Sequence, residues 1–250
     1  MKEFLYSRNA VYETLRAQRR QVFGLQVAEG AQEKGRLAEI LRLAEERRIP
    51  VRRVPRLALD KIQPAHQGVI LEAGAYPYVT LADILDLADC CGEPPFLLLL
   101  DTLNDPQNFG TLLRTAEAVG VHGVLLPLAR TVEVTPAVVN ASSGASEHLL
   151  IARMNLSQAI DELREAGVWT IGLDQAPESR LPSEVSWMGG GLALVVGSEG
   201  AGIRPLVKSK CDFLVRLPMQ GKIESLNAAV AGSVALYLAY LARQQPITHG

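Results

Sequence analysis

From residue 96 onward, short and almost wholly apolar runs alternate with segments whose apolar positions recur at helical spacing. The runs at 96–100, 123–127, 148–151, 168–173, 192–196 and 213–217 predict buried strands. Helical spacing marks 109–119, 135–141, 156–166, 203–209 and 226–243 between them. Six strands alternating with helices predict an α/β domain built on a parallel, doubly wound sheet. The first 75 residues have a different rhythm. Ala10, Val11 and Leu15 share a helical face after Ser7, a candidate cap, and Leu37, Ile40, Leu41 and Ala44 share another. Strands are expected at 22–27, 50–54 and 68–71, with a brief helix at 57–62. Residues 76–94 are less regular, with a short helix at 81–87 between Pro77 and a Cys-Cys-Gly-Glu-Pro-Pro close. The expected organisation is a small α/β domain over 1–75, a linker over 76–94 and a large domain over 95–250.

Charge sharpens that division. The net charge of −2 is ordinary, but residues 1–75 hold fourteen Lys and Arg against nine Asp and Glu, and the rest of the chain is acidic. Such asymmetry predicts that the front part meets a polyanion. No stretch is long and apolar enough to predict a membrane span. The opening Met-Lys-Glu-Phe-Leu-Tyr-Ser-Arg has no apolar signal core, so secretion is not expected. The three cysteines, Cys90, Cys91 and Cys211, make no disulfide framework, and neither they nor the dispersed His66, His122, His148 and His249 have metal-ligand spacing. A reduced, cytoplasmic protein without a metal is the expectation. His66, alone before a strand, reads as a structural residue.

Candidate chemistry lies in three loops. Asp105-Pro106 sets a turn after the 96–100 strand, and Asn108, Gly110 and Arg114 follow at a helix start. After the 192–196 strand come Gly197, Gly200 and Gly202 around a lone carboxylate, Glu199. Glycine lets a ligand approach the backbone closely, so Glu199 is expected to face whatever the loop holds. After the 213–217 strand come Leu217-Pro218-Met219, a polar loop, and Ser225-Leu226-Asn227, with Ser225 as the expected helix cap. Strand-end loops side by side predict a crevice at the carboxyl edge of the sheet. The glycine loop has neither the lysine of a phosphate-binding P-loop nor the Gly-x-Gly-x-x-Gly spacing of a dinucleotide site.

These three loops, in this order over about 95–243, resemble the motifs of the SpoU (TrmH-like) branch of the SPOUT RNA ribose 2′-O-methyltransferases. The front end resembles the L30e-like substrate-binding domain of the RlmB group of that family, through Tyr6-Ser-Arg8-Asn9 and His66-Gln67-Gly68. The resemblance implies a trefoil-knotted catalytic domain working as a homodimer. It implies S-adenosylmethionine in a crevice lined by Gly197, Gly200, Leu217 and Leu226. It implies RNA as substrate, rRNA first and a guanosine of 23S rRNA in particular, then tRNA, then another rRNA loop. Arg114 matches the family's assigned base, but a guanidinium hardly ever loses its proton in a protein. A clamp on phosphate and ribose suits Arg114 better, which leaves the base open, with Glu199 as the carboxylate alternative. Asn108, Ser225 and Asn227 then fix ribose, cofactor and loop by hydrogen bonds. A catalytically silent RNA-binding protein of the same fold is the contrary reading, and the intact Arg114 and Glu199 count against it.

Overall fold

The computed structural model describes residues 2–244 other than Arg130, Ser186, Met188, Gly189 and Glu224, so His249 lies outside the described residues. The strands are β1 (Lys2–Tyr6), β2 (Val22–Ala28), β3 (Val51–Val54), β4 (Val69–Gly74), β5 (Phe96–Leu100), β6 (Gly123–Leu126), β7 (Leu150–Arg153), β8 (Val168–Leu173), β9 (Gly191–Val196) and β10 (Phe213–Val215). The helices are α1 (Arg8–Ala17), α2 (Arg36–Glu46), α3 (Arg56–Asp60), α4 (Leu81–Cys91), α5 (Pro106–Ala118), α6 (Pro136–Ala141), α7 (Leu156–Glu165), α8 (Pro205–Lys208) and α9 (Ala228–Arg243). Two compact units result, Met1–Pro77 with Glu133–His148, and Tyr78–Val132 with Leu149–Gly250.

The second unit is the predicted parallel sheet, in the order β10-β8-β9-β5-β6-β7. β5 and β9 lie side by side in register, Phe96 opposite Leu192 through Leu100 opposite Val196, and every residue of both strands is buried. Leu97, Leu99, Leu125, Ile160, Leu163 and Val195 share one core. Each such side chain contributes roughly 1.5–3 kcal/mol by leaving water. Leu81 and Ile84 belong to that core too, which corrects the expected linker. Residues 81–91 form a full helix, opened by a capping box between Thr80 and Asp83 and packed on the sheet. From β5 the chain builds outward to β6 and β7, then returns on the other side as β8, β9 and β10. The order therefore reverses between β5 and β9, and a cavity lies at the carboxyl ends of β9 and its neighbour β8.

The first unit has a four-stranded sheet in the order β1-β4-β2-β3. β1 was not expected; five residues with two charges give too short a pattern, and pairing with β4, Lys2 opposite Gly74 through Tyr6 opposite Ile70, makes the strand. Residues 133–148 carry the second departure. Their helix was expected in the large domain, yet it packs with β1 and α1, and Val138 and Val139 are buried there. Gly144 (φ +88°) permits the approach, since a Cβ would lie 2.5 Å from Cβ of Glu13. Just beyond it, buried Glu147 accepts the guanidinium fork of Arg20. A one-turn 3₁₀ helix at Ala145–Glu147 delays β7, which starts at Leu150 and not at residue 148.

Candidate active site

Three loops of the second unit line a cavity of about 460 Å³ at the carboxyl edge of its sheet. One is the glycine loop after β9, including Gly197, Glu199 and Gly200. Another is the approach to α9, with Ser225, Leu226 and Asn227. The third, residues 173–176 after β8, was not anticipated from the sequence. Its strand ended in the expected place, but nothing in Asp174-Gln175-Ala176 marks a site. What brings the loop in is sheet order, because β8 lies between β9 and β10.

The glycine loop is a tight return. Ser198 N donates to Gly202 O (3.1 Å) and Gly202 N to Ser198 O (3.0 Å). A Cβ at Gly197 would fall 2.1 Å from the carbonyl carbon of Gly202, so no other residue fits. Asp101, fully buried at the end of β5, holds the far side of the loop: Arg204 donates to it from its backbone N (2.8 Å) and from Nε (2.7 Å). A carboxylate closing a wholly apolar strand was the available sequence signal for that anchor. Lys208 donates to Asp174 (3.0 Å), and this hydrogen bond raises its ammonium pKa above the usual value. Burial pushes the nearby Cys211 thiol up to about 12, so it stays neutral and inert.

The polar end of the site is a triad of side chains. Asp105 caps α5 by accepting from N–H of Gln107 and Asn108, each at 3.2 Å. Asn108 Nδ2 then donates to Glu199 Oε1 (3.1 Å). Asn227 caps α9, its Oδ1 accepting from N–H of Ala229 (3.0 Å) and Val230 (3.1 Å). With the amide oxygen committed to the helix, Nδ2 must face the other way. It donates to Asn108 Oδ1 (3.1 Å) and to Glu199 Oε1. Two neutral amides thus fix one carboxylate oxygen, and among the described residues Oε2 of Glu199 has no partner. The expected cap, Ser225, is displaced by Asn227: α9 begins at Ala228, and only Asn227 is adjacent. Ser225 lines the cavity instead.

Two further predicted residues stand apart from the lining. Leu217 is buried, and its carbonyl accepts from Nε2 of the cavity residue Gln175 (3.5 Å). Arg114 lies exposed on α5, in the third turn of the helix that Asn108 opens. Among the described residues no group of three or more His, Cys, Asp or Glu could hold a metal, and no helix is long and apolar enough to cross a membrane.

Comparison with known proteins agrees with this geometry. Residues 95–237 match the SpoU rRNA Methylase family, and residues 4–79 match the family described as RNA 2′-O ribose methyltransferase substrate binding. YacO of Bacillus subtilis, named as a TrmH family tRNA/rRNA methyltransferase, is 42% identical over 243 residues, 96% of each chain. The AdoMet-bound rRNA methyltransferase from Sinorhizobium meliloti superimposes with a TM-score of 0.78 at 24% identity, covering 95% of this chain and 86% of that one. The SpoU methyltransferase AviRb from Streptomyces viridochromogenes, in complex with AdoMet, gives 0.77 at 22% identity, covering 96% and 90%. The chain belongs to the SpoU rRNA methylase family, with a family substrate-binding segment at its front.

Proposed function

We propose that this chain transfers the methyl group of S-adenosylmethionine to a ribose 2′-hydroxyl of rRNA, at a guanosine of 23S rRNA, with tRNA as the alternative to rRNA. The observation that carries the reading is Glu199, held by Asn108 and Asn227 at the mouth of a glycine-walled cavity with one carboxylate oxygen open. The cavity suits the cofactor in size, for nucleoside-sized ligands occupy some 300–1,000 Å³. Its walls suit it as well: a Cβ at Gly200 meets nothing within 4 Å, so backbone faces open space there, and Leu173, Val196 and Leu226 supply apolar surface. Bound there, S-adenosylmethionine supplies an electrophilic methyl group.

The protein's own task is to align the hydroxyl oxygen and receive its proton as the new C–O bond forms. Glu199 Oε2 is the acceptor, and Asn108 and Asn227 orient the carboxylate through its other oxygen, Oε1. Arg114 clamps phosphate and ribose through its fork of donors. Ser225 and Leu226 position the cofactor from the cavity lining, and Leu217 does so through its carbonyl, which holds Gln175 of that lining. Preference for rRNA is supported by the description of the matched family as rRNA methylases, while the Bacillus relative's name covers both RNAs.

The homodimer belongs to the same reading. Val230, Val234, Tyr237 and Leu241 are all exposed along one face of α9, at helical spacing. The other side of that helix already packs on α5, where Thr115 and Ser233 share a hydrogen bond (2.9 Å). A second copy of the chain is the cover proposed for the stripe. The knot is proposed with it, since β10 returns beside β8 before α9 packs on α5 and β9.

Labelled S-adenosylmethionine, 23S rRNA fragments and bulk tRNA, followed by mapping of the modified ribose, test the reading. Methyl transfer to a 2′-oxygen of rRNA is expected, lost in Arg114→Ala while cofactor affinity survives in calorimetry. Arg114→Lys is expected to be nearly as poor. Methylation on a base, or wild-type turnover by Arg114→Ala, defeats the scheme.

A further inference from the structure

Part of the basic character of the front unit is neutralised by its own carboxylates. Arg16 pairs with Glu13, Arg36 with Glu39, Arg42 with Glu46 and Arg53 with Glu33, while Arg20 is buried between Glu147 and Glu3. Three cations are different. Arg8, Lys34 and Arg56 converge on one cavity of about 330 Å³, and among the described residues no carboxylate bonds any of them. Glu29 is the single acid in the lining. Arg47, Arg48, Arg52 and Lys61 also form no ion pair among the described residues, although Arg52 lies close enough to Glu72 to favour its charged form, and all four lie outside this cavity.

The cavity wall is held rigid. His66 is fully buried; its Nδ1 accepts from Gly68 N (2.7 Å), so Nε2 carries the proton that Asp60 Oδ1 accepts (3.0 Å). Between these anchors Gln67 is held at φ +53°, although it is not a glycine. Gln67 grips Arg8 twice: Oε1 accepts from Arg8 N (3.1 Å), and the carbonyl accepts from Arg8 Nε (3.2 Å). With Oε1 committed, both donors of the Gln67 amide stay unbonded among the described residues, as do the terminal nitrogens of Arg8. The expected cap, Ser7, makes no side-chain bond to α1. A rigid wall carrying unbonded donors, with three unpaired cations around it, is complementary to phosphate oxygens and to a base acceptor.

We propose that this cavity is the anchor for a single nucleotide of the RNA substrate, its phosphates on Arg8, Lys34 and Arg56 and its base edge on the Gln67 amide. This rests on reading the chain as an RNA methyltransferase and names where the front unit holds the RNA. It narrows the expectation, raised by charge alone, that the front part meets a polyanion, to one cavity.

The test is RNA binding by the full chain over a salt series, with 23S rRNA fragments and tRNA as probes. Lys34→Gln/Arg56→Gln and Arg48→Gln/Arg52→Gln remove the same charge from inside and outside the cavity. The first is expected to weaken binding about tenfold or more and to flatten the salt slope by about 1.4–1.8, as for two lost phosphate contacts. The second is expected to change affinity no more than about threefold. Gln67→Glu keeps the acceptor that grips Arg8 N but replaces the two donors with a negative charge, so it is expected to fall with the cavity pair. Equal losses from both pairs mean a diffuse basic field and overturn the proposal, as does wild-type binding by Gln67→Glu. A cavity that binds AMP while Lys34→Gln/Arg56→Gln keeps wild-type RNA affinity is a free-nucleotide site, and this too overturns it. If the wild-type chain binds S-adenosylmethionine but no RNA, the proposed function falls together with the anchor.

Discussion

Glu147 and Glu199 are two carboxylates at the centre of hydrogen-bond clusters, and they are held in opposite ways. Glu147 is 1% exposed, and one guanidinium engages both its oxygens, Arg20 Nε to Oε2 at 2.8 Å and Nη2 to Oε1 at 3.0 Å. Arg20 in turn donates to Glu3 (2.5 Å) and to the carbonyl of Gly74 (3.0 Å). Loss of water works against the charge on Arg20, but its carboxylate neighbours outweigh it and raise its pKa, so the fork stays ionised. Glu199 is exposed, its Oε1 bound by two neutral amides and its Oε2 unbonded among the described residues. Every atom of the first carboxylate is satisfied and nothing remains for chemistry. The second is oriented just enough to leave an acceptor.

The largest expected effect comes from breaking the satisfied pair. Arg20→Met leaves Glu147 buried without its partner, which costs about 3–5 kcal/mol, whereas Glu147→Gln leaves Arg20 its bond to Glu3 and is expected to cost less. Urea unfolding is expected to show that loss, and the double variant Arg20→Met/Glu147→Leu should recover most of it, because it removes both charges. An Arg20→Met variant within about 1 kcal/mol of wild type would mean that water reaches the pair.

The same glutamine substitution at position 199 should do the reverse. Gln retains an oxygen for the two amide donors, so stability is expected to stay within about 0.5 kcal/mol of wild type. Proton uptake is lost, and single-turnover methyl transfer should fall by about 10²–10⁴-fold. A rate unchanged by Glu199→Gln assigns the proton to another group and leaves Glu199 as an organiser of Asn108 and Asn227.

Much of this contrast was legible in the sequence on one side only. Glu199 could be picked out from the glycine loop after an apolar strand, whereas Asn108 and Asn227 were marked by the resemblance of their loops to the family's motifs; parallel strands bring such ends together whatever their separation in the chain. The sheet order was not legible, so the 173–176 loop was missed. Neither was the choice of cap: Ser225 and Asn227 are both good capping residues, and only the start of α9 at Ala228 decides between them. The Arg20–Glu147 pair left no trace at all. Its partners stand 127 residues apart, and each reads as one more surface charge until residues 133–148 are seen to pack with the first unit. Charge counting stopped short for the same reason: it could not tell the cations that bind carboxylates from Arg8, Lys34 and Arg56, which line a cavity.

The smallest effect separates the two duties of Asn227. Its oxygen caps α9 and its nitrogen orients Glu199 and Asn108. Asn227→Ala removes both functions, whereas Asn227→Ser keeps an oxygen able to cap and removes the donor. Alanine is expected to cost about 1 kcal/mol of stability and serine only a few tenths. The rates should not follow that order. Both variants lose a hydrogen bond to a carboxylate, a loss of about 1.5–3 kcal/mol when it falls on the transition state, so both should slow methyl transfer by roughly tenfold or more. Melting temperature and single-turnover rate, measured on the same two proteins, divide the outcomes. Equal slowing with unequal stability keeps the triad as a positioning device. A serine variant that is both stable and fast shows that the cap alone matters and that Asn108 suffices to hold Glu199.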